Sequence, residues 1–410
     1  MEVGIEALNF YGGPAYIDVR TIFEERGLDL DRFNNLMLVK KSVGAPCEDA
    51  VTNGVNAAKP IIDRLSQEEK NKIELVITCS ESGVDFGKSM STYVHDCLGL
   101  NRKCRLFELK QACYGGTAGL QMASCFVASQ ASYGAKALVI ATDVARAAVK
   151  YTYGEPSQSV GAVAMLVSDK PQVLELDFGA NGYYGYEVMD ACRPLAEVEL
   201  GNPDLSLLSY LDCLENSYAA YAEKVEGADF RETFDYLVFH TPFAGMVKGG
   251  HRKLMRQLCR VSSAETEKDF ERRVMPAIKY CQEVGNVYSA SVYLALCSLI
   301  DHIEVDSAKR LGLFSYGSGC SSEFYSGVIT PVSKAIVREM RIKEELSRRY
   351  RLTMEEYDKL LDLNMEWIFG VKDKAMDFSS FSKIYEHFFE GRGLLVLKQV
   401  NDFHREYAWS

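Results

Sequence analysis

Short runs of apolar residues alternate with longer amphipathic segments along this chain. The short runs are predicted to be buried strands, at 74–78, 106–109, 137–141, 163–167, 236–239 and 311–315. The amphipathic segments are predicted to be helices, at 48–65, 117–131, 206–225, 265–280 and 289–300, with two solvent-facing helices in the charged stretch 334–363. Strands that alternate with helices are typical of an α/β fold.

The order of these elements repeats once. In each half, an apolar strand ends in a polar turn, a second turn opens an apolar helix, and a further strand ends in polar residues, where ligands of α/β sheets bind. The corresponding positions, first half then second, are Glu81 and His240, Cys113 and Asn286, and Asp143 and Ser318. We interpret the repeat as a duplication with halves at 1–170 and 171–410, the second including the charged helical segment near 334–363. The alternative is chance, since any α/β protein contains some such pairs.

Composition excludes several classes of protein. With 47% hydrophobic and 25% charged residues in 410, the chain is neither disordered nor of low complexity. The net charge of −11, from 46 basic and 57 acidic residues, argues against general nucleic-acid binding. The longest apolar run, 292–300, is far shorter than the roughly 20 residues of a membrane helix. The first residues show no basic signal-peptide region, so we expect a soluble, cytoplasmic protein with no membrane or nucleic-acid partner.

The 12 cysteines predict neither a metal site nor a disulfide framework. No two of them form the Cys-x-x-Cys pair that is common in zinc sites, and most free cysteines are small buried hydrophobes. Cys113 differs, because it precedes Gly115 and Gly116 at the predicted start of a helix. A helix N-terminus lowers a thiol pKa and offers backbone N–H groups to an oxyanion, so we predict that Cys113 is a nucleophile. The alternative is a buried cysteine beside a turn.

Two more candidate residues follow apolar strands. Glu81 would be partly buried at the edge of the sheet, and burial raises a carboxyl pKa towards the range that suits proton transfer at neutral pH. The alternative is an ordinary loop glutamate. His240, alone of six histidines, ends a clear apolar strand and enters a turn at Pro242. As a neutral imidazole it could donate a hydrogen bond to a substrate carbonyl; the alternative is a core histidine with both nitrogens paired.

Four strings of residues resemble the signature motifs of 3-hydroxy-3-methylglutaryl-CoA synthases. They are ACYGGT at 112–117, FHTPF at 239–243, GNVY at 285–288 and FSYGSG at 314–319. The resemblance covers nearly the whole chain and implies the fold of the thiolase superfamily, in which two duplicated halves form five αβαβα layers. It implies the family's nucleophile at Cys113, its acid/base at Glu81 and its acceptor-site histidine at His240. Residues that it places in supporting or substrate-binding roles are Asp85, Tyr114, Gly115, Asp143, Asp190, Pro242, Phe243, Asn286, Tyr288 and Ser318.

The resemblance also implies a reaction. An acetyl thioester acylates Cys113, and Glu81 removes a proton from the acetyl methyl group. The enolate attacks the β-ketone of an acceptor thioester, whose oxygen His240 polarises, and Glu81 returns its proton to the alkoxide. Water then cleaves the thioester at Cys113. No metal or redox cofactor is expected, and members of the superfamily are usually homodimers.

Two stretches depart from the family's usual pattern. Residues 35–38 read NLML where the family usually has GLGQ, and Gly245 and Gly249 stand in a stretch where lysines usually handle the nucleotide of CoA. The absence of these usual family residues should weaken binding of the adenosine diphosphate portion of CoA but not of its pantetheine arm. In this the chain resembles the synthases of polyketide β-branching. Those relatives take acetyl from an acyl carrier protein and add it to a β-ketoacyl group on a carrier domain of a polyketide synthase, both groups being held on phosphopantetheine.

Two other functions stay open. One is a hydroxymethylglutaryl-CoA synthase of the mevalonate pathway, which would use acetyl-CoA and acetoacetyl-CoA. The other is a non-catalytic scaffold that binds carrier proteins, against which the intact Cys113, Glu81 and His240 argue.

A basic stretch without acidic residues follows His240. Its five cations are Lys248, Arg252, Lys253, Arg256 and Arg260. In a helix, the three arginines recur at intervals of four and share one face, where they could orient an acidic carrier protein near the entrance of the site. The alternatives are a solvated helix whose arginines pair with nearby carboxylates, and docking at the mixed-charge stretch 334–351.

Overall fold

The computed structural model describes residues 2–145, 150–152 and 154–410. Its strands are β1 (Gly4–Tyr11), β2 (Ala15–Asp18), β3 (Lys40–Val43), β4 (Ile73–Cys79), β5 (Arg105–Leu109), β6 (Lys136–Val144), β7 (Val160–Ser168), β8 (Leu174–Gly185), β9 (Ala191–Leu195), β10 (Val198–Gly201), β11 (Tyr236–Phe239), β12 (Lys309–Gly317), β13 (Ser321–Ile329), β14 (Tyr350–Arg351), β15 (Lys374–Ala375), β16 (Leu395–Asn401) and β17 (His404–Trp409). Its helices are α1 (Val19–Arg26), α2 (Leu30–Leu36), α3 (Ala50–Ile62), α4 (Gln67–Asn71), α5 (Met90–Cys97), α6 (Gly115–Ser129), α7 (Pro203–Lys224), α8 (Ala244–Leu254), α9 (Ser263–Arg273), α10 (Met275–Val284), α11 (Ser291–His302), α12 (Pro331–Glu339), α13 (Ile342–Arg348), α14 (Met354–Met365) and α15 (Ser382–Phe388). A π-helical turn at Met255–Cys259 follows α8, and 3₁₀ turns lie at Tyr288–Ala290 and Phe378–Phe381. Within these described ranges, no helix has the length and apolar composition to cross a membrane.

Nine strands form one mixed sheet, in the order β11-β12-β13-β8-β1-β7-β6-β4-β5. In the first half, β4 and β6 are parallel, and the pairs β6–β7 and β7–β1 are antiparallel. In the second half, β11 and β12 are parallel, and the pairs β12–β13 and β13–β8 are antiparallel. The two halves meet at a short β1–β8 pair at Gly4 and Ile5. The same strand order and directions therefore occur twice, which is the topology of a duplicated α/β fold.

Helices lie between the two halves of the sheet and on their outer faces. The helix α6 packs against β4 and β6, and α11 packs against β11 and β12. These two helices meet where the hydroxyls of Thr117 and Tyr293 lie 2.9 Å apart. Outside them, α3 packs against β6 and β7, and α7 packs against β8 and β13. The side chains of β6 alternate accordingly, because Thr142 faces α3 while Val139 faces α6. The layers follow the order αβαβα.

Close packing in the middle layer sets the position of Cys113. A Cβ on Gly116 would lie 2.5 Å from the carbonyl oxygen of Ser289, and one on Gly119 would lie 2.5 Å from Sγ of Cys79. Only glycine allows this close an approach. It brings the N-terminus of α6, with Cys113 just before it, against the second half of the chain.

The predicted strands are present as β4, β5, β6, β7, β11 and β12, but two helical predictions are wrong. The segment 265–280 forms two helices, α9 and α10, because Pro276 lacks the N–H that a continuous helix needs. The stretch 334–363 forms most of α12, all of α13 and most of α14, with β14 between α13 and α14. The prediction that this stretch is solvent-facing is also wrong, because Ile342 and Tyr357 are buried and β14 pairs with β2.

Candidate active site

A cavity of about 160 Å³ holds the three residues that the sequence predicts to carry the chemistry. Cys113 and Glu81 reach it from the first half of the chain, and His240 reaches it from the second. The other lining residues are Ala112, Gln158, Ala191, Cys192, Arg193, Glu199, Ser206, Pro242, Asn286, Tyr288, Tyr316 and Ser318.

The thiol of Cys113 lies directly beside the carboxyl group of Glu81. It donates a hydrogen bond to Oε1 of Glu81 over 3.6 Å. Burial raises the pKa of Cys113 well above its usual range, and the nearby charges of Glu81 and Asp143 raise it further. The prediction that the helix N-terminus lowers the pKa of Cys113 is therefore wrong. Desolvation and the two carboxylates outweigh the effect of the helix. Cys113 is therefore protonated, as a thiol, at neutral pH.

Glu81 follows β4 at the edge of the sheet, as the sequence predicts. Burial raises its pKa to about 7, the charge of Asp143 adds to the rise, and the charge of Arg193 opposes it. A carboxyl group that titrates near neutrality can both remove and return a proton at physiological pH. Its Oε1 lies 3.6 Å from Sγ of Cys113, so the carboxyl group adjoins any group that this thiol would carry.

Asp143, at the end of β6, lies behind Glu81 and outside the cavity lining. Its Oδ1 accepts hydrogen bonds from the main-chain N–H of Glu81 at 2.9 Å and from the hydroxyls of Ser80 at 3.0 Å and Ser82 at 2.9 Å. Its Oδ2 accepts one from the hydroxyl of Ser289 at 3.1 Å, which belongs to the second half. Asp143 thus fixes the turn that carries Glu81 and joins the two halves beneath the site.

His240 follows β11 and is 1% exposed. Its main-chain N–H donates to the carbonyl of Phe314 at 2.7 Å, and its main-chain carbonyl accepts from the hydroxyl of Tyr210 at 2.9 Å. Among the described residues its ring Nδ1 has no hydrogen-bond partner, so a core histidine with both nitrogens paired is excluded. Burial lowers the pKa of His240 to about 3. The imidazole is therefore neutral, and it keeps hydrogen-bonding capacity for a ligand.

Four of the predicted supporting residues line the cavity, namely Pro242, Asn286, Tyr288 and Ser318. Oδ1 of Asn286 accepts from the main-chain N–H of Tyr288 and from the hydroxyl of Ser291, both at 2.9 Å, which fixes the turn before α11.

The other predicted supporting residues lie outside the cavity lining. Asp190 accepts from the hydroxyl of Tyr316 at 2.7 Å and from the N–H of Gly319 at 2.9 Å, and so anchors the turn that carries Ser318. Gly115 begins α6, Tyr114 donates to Glu323, and Phe243 packs in the core of the second half. Asp85 is exposed and accepts only from the N–H groups of its own loop, at Gly87 and Lys88, among the contacts described for it.

Sequence reasoning missed several residues of the cavity. Arg193, Glu199 and Cys192 come from the hairpin of β9 and β10, and Gln158 precedes β7. The hairpin segment is short, and charged residues and Pro194 interrupt its apolar positions, so it lacks the apolar run that marks a buried strand. Its only signal is its position directly after Asp190.

The five cations after His240 are helical only in part. The helix α8 ends at Leu254 and continues as the π-helical turn, and Arg260 has a φ of 51°, so the regular α-helical spacing of the three arginines does not continue past Leu254. Lys248 pairs with Glu267, and Lys253 pairs with Glu215 at 2.7 Å. Arg252 lies 4.0 Å from Glu267 and is exposed, as are Arg256 and Arg260. At 1.5 Å per helical residue, Arg252 lies roughly 15 Å along the chain from Pro242 in the cavity.

Two family models match the chain. The model described as "Hydroxymethylglutaryl-coenzyme A synthase N terminal" matches residues 1–172, and the one described as "Hydroxymethylglutaryl-coenzyme A synthase C terminal" matches residues 250–409. Together they cover most of the chain.

Individual proteins are similar over the full length. The chain is 52% identical to the polyketide biosynthesis 3-hydroxy-3-methylglutaryl-ACP synthase PksG of Bacillus subtilis, over 100% of this chain and 99% of that protein. Its structure is similar to that of the curacin biosynthetic pathway HMG synthase in complex with apo donor-ACP, with a TM-score of 0.97 and 56% identity over 100% of both chains. MvaS in complex with 3-hydroxy-3-methylglutaryl coenzyme A is more distant, with a TM-score of 0.86 and 30% identity over 100% of this chain and 99% of that one. These similarities confirm the thiolase-like α/β fold.

Proposed function

The chain belongs to the hydroxymethylglutaryl-coenzyme A synthase family, and we propose that it is the HMG synthase of a polyketide β-branching pathway. It is a carbon–carbon bond-forming acyltransferase. In the proposed reaction, acetyl passes from an acyl carrier protein to Cys113 and condenses with a β-ketoacyl group on a carrier domain of a polyketide synthase. Hydrolysis leaves a 3-hydroxy-3-carboxymethyl product on that carrier. A homodimer in the cytoplasm is part of the same proposal.

One observation carries the chemistry. Sγ of Cys113 and Oε1 of Glu81 lie 3.6 Å apart in a cavity that also holds the neutral His240. A nucleophile, a base that titrates near pH 7 and an uncharged hydrogen-bonding group are the three parts that a thioester condensation requires.

The proposed steps follow from these positions. Cys113 attacks the acetyl thioester, and its proton ends on the thiol of the released carrier. The Glu81 carboxylate then removes a methyl proton, and the resulting enolate carbon bonds to the β-carbon of the acceptor ketone. His240 donates a hydrogen bond to the ketone oxygen, and protonated Glu81 returns its proton to the alkoxide. Water cleaves the thioester, which frees a carboxylic acid and restores the thiol of Cys113.

A contact between α2 and α8 supports a carrier protein as the donor in place of CoA. A Cβ at position 245 would lie 1.8 Å from the carbonyl oxygen of Asn35, so this packing excludes any side chain at Gly245. A lysine for the CoA nucleotide cannot occupy that position. The identity to the carrier-dependent relatives, 52% and 56%, is also well above the 30% to MvaS.

The donor can be tested by mass spectrometry of the intact protein. We expect a single acetyl group on Cys113 after brief exposure to acetyl-carrier protein, and little after exposure to the same concentration of acetyl-CoA. Equally efficient labelling by acetyl-CoA would favour the mevalonate-pathway enzyme. No labelling from either donor would favour a non-catalytic scaffold.

His240→Ala should impair the acceptor step and spare acetylation of Cys113. Removal of one hydrogen-bond donor to a developing oxyanion typically costs on the order of 10²–10³ in rate. The measurement is single-turnover condensation of preformed acetyl-enzyme with a β-ketoacyl carrier. Since the pKa of His240 is about 3, the substitution should remove no titration step between pH 5 and pH 8. An unchanged acceptor step would reject this role.

Charge reversal at Arg252 and Arg256 should weaken use of the donor carrier. We propose that these exposed cations orient an acidic carrier protein. Each exposed ion pair contributes up to about 1 kcal/mol to binding. The double variant Arg252→Glu, Arg256→Glu should therefore raise KM for acetyl-carrier roughly tenfold. Turnover of a small acetyl-pantetheine thioester should stay unchanged. The carrier reaction should also slow with added salt, because exposed charges are screened within roughly 10 Å at 0.1 M.

The matched control for docking is charge reversal in the rival basic stretch. Arg338→Glu, Lys343→Glu should leave KM for acetyl-carrier near its original value. A rise in KM there, and none in the first variant, would move the docking surface to 334–351. Equal losses with acetyl-carrier and acetyl-pantetheine would mean that Arg252 and Arg256 support the fold and not the carrier.

A further inference from the structure

The hairpin of β9 and β10 covers the cavity beside Glu81. It forms a two-stranded sheet of its own and contributes Arg193 and Glu199 to the cavity lining. Their side chains are only 11% and 14% exposed, although the hairpin itself is largely exposed. Burial of two opposite charges is costly unless they are paired and hydrogen-bonded, so each of their contacts needs an explanation.

Arg193 joins the hairpin to the main chain of Glu81. Its Nη1 donates to the carbonyl oxygen of Glu81 at 3.0 Å, and its Nη2 donates to Oε2 of Glu199 at 2.6 Å. The carbon of the guanidinium group lies 5.5 Å from the centre of the Tyr288 ring. The guanidinium is therefore held at three points, one in each of three segments of the chain.

The contacts of Arg193 belong to a closed ring of four side chains within the cavity lining. Oε1 of Glu199 accepts from the side-chain amide of Gln158, and Oε1 of Gln158 accepts from the hydroxyl of Tyr288 at 2.9 Å. Tyr288 then lies against the guanidinium of Arg193, which completes the ring. A ring of this kind restricts each member to one arrangement, because no member can move without breaking two contacts.

The charge of Arg193 also acts on Glu81. Among the described residues that line the cavity, Arg193 is the one side chain with a fixed positive charge. The charged and titratable groups around Glu81 include Asp143, Arg193, Glu199, Cys113 and Tyr288. Desolvation, Asp143 and Glu199 raise the pKa of Glu81, whereas Arg193 lowers it. Burial alone would lower the pKa of Arg193, but Tyr288, Glu199 and Glu81 raise it, so the guanidinium stays charged.

We propose that Arg193 is a positioning residue for proton transfer, which fastens the β9–β10 hairpin to Glu81 and holds the Glu81 carboxyl group beside the acyl group on Cys113. The inference rests on the proposed function, in which Glu81 removes a proton from acetyl-Cys113. Glu199 supports Arg193 through their hydrogen bond, and Gln158 and Tyr288 support Glu199 and the guanidinium in turn. Acetyl transfer to Cys113 needs no net proton transfer by Glu81 and should depend little on this ring.

The test separates acetylation from proton removal in Arg193→Met, Arg193→Lys and wild type. Acetylation of Cys113 by acetyl-carrier, followed by intact-mass spectrometry, should change by only a few-fold in both variants. Exchange of the acetyl methyl protons with deuterium, measured on the acetyl-enzyme in D₂O without an acceptor, should slow on the order of 10²-fold in Arg193→Met, the usual effect of misplacing a catalytic group. Arg193→Lys, which keeps the charge, should recover part of the rate.

The pH dependence of the exchange distinguishes the proposed role of Arg193 from a purely structural one, which would leave that dependence unchanged. Glu81 must be ionised to remove a proton, so exchange rises with pH through the pKa of Glu81. Loss of the positive charge in Arg193→Met should move this rise to higher pH, and Arg193→Lys should leave it near its original position. Glu199→Gln removes a negative charge and should move the rise to lower pH. Opposite shifts in these two variants would support the inference even if either variant were less stable.

The control is Arg310→Met, which removes an arginine that pairs with Asp177 at 2.9 Å far from the cavity. It should leave acetylation, exchange and the pH profile unchanged. Equal losses of acetylation and exchange in Arg193→Met, with an unmoved pH profile in both Arg193→Met and Glu199→Gln, would overturn the inference. Failure of the proposed function would look different, because wild-type protein would then show no acetyl-enzyme or no exchange at all.

Discussion

Cys113→Ser should abolish formation of the acetyl-enzyme and leave the fold intact. Oxygen in place of sulfur is nearly isosteric, but a serine hydroxyl is far less acidic than a thiol, and the pKa of Cys113 is already raised by burial and by Glu81. Removal of a nucleophile costs on the order of 10⁶ in turnover in the best-studied hydrolases. Intact-mass spectrometry after exposure to acetyl-carrier should show no added acetyl group, and the circular dichroism spectrum should match that of the wild type.

Cys192 offers a matched control for this prediction, because it lines the same cavity. Cys192→Ala should acetylate at close to the wild-type rate, as should Cys125→Ala on the surface. Acetylation that persisted in Cys113→Ser and disappeared in Cys192→Ala would transfer the role of nucleophile to Cys192. Labelling that persisted in all three variants would mean that no single cysteine is responsible.

The three principal residues of the site could be predicted because each adjoins a strong local signal. His240 directly follows a short apolar strand, Glu81 comes two residues after the mainly apolar β4, and Cys113 precedes two glycines at a helix start. Signals of this kind depend only on neighbouring residues. The repeat of the pattern in the two halves then indicated that the positions correspond, and the twofold strand order of the sheet agrees with it.

The remainder of the site depends on contacts between distant segments. Arg193 is recognisable as part of the site only once its hairpin lies over Glu81, 112 residues away along the chain. The direction of the pKa shift at Cys113 likewise follows from burial and from the approach of Asp143, which no local pattern shows. The sequence pattern does not reveal the strand β8 for a similar reason. The helix α7 packs on β8 so closely that a Cβ on Gly182 would lie 2.1 Å from the main-chain nitrogen of Tyr221, so glycine is needed there. Glycine is not a residue that indicates a strand.

Glu81→Gln should separate acetylation from condensation. The amide keeps the shape of the carboxyl group and cannot accept a proton, so acetyl-Cys113 should still form while condensation slows on the order of 10²–10⁴-fold, the usual contribution of general acid–base catalysis. The pKa of Glu81 is about 7, so wild-type condensation should rise with pH through this value as the carboxylate forms. The variant should lose that dependence. Single-turnover condensation of preformed acetyl-enzyme, followed from pH 5.5 to pH 8.5 (about 1.5 pH units on either side of that pKa), measures both effects.

Glu48 provides the control, because it is a second buried glutamate whose pKa is raised by burial to about 7. It accepts a hydrogen bond from the hydroxyl of Tyr11 at 2.7 Å and does not line the cavity that holds Cys113. Glu48→Gln should therefore keep both the condensation rate and its rise near pH 7. If the rise persisted in Glu81→Gln and disappeared in Glu48→Gln, the base would have to be sought beyond Glu81. If condensation in Glu81→Gln ran at close to the wild-type rate, the proton would be removed by another group, and the assignment of Glu81 as acid and base would be wrong.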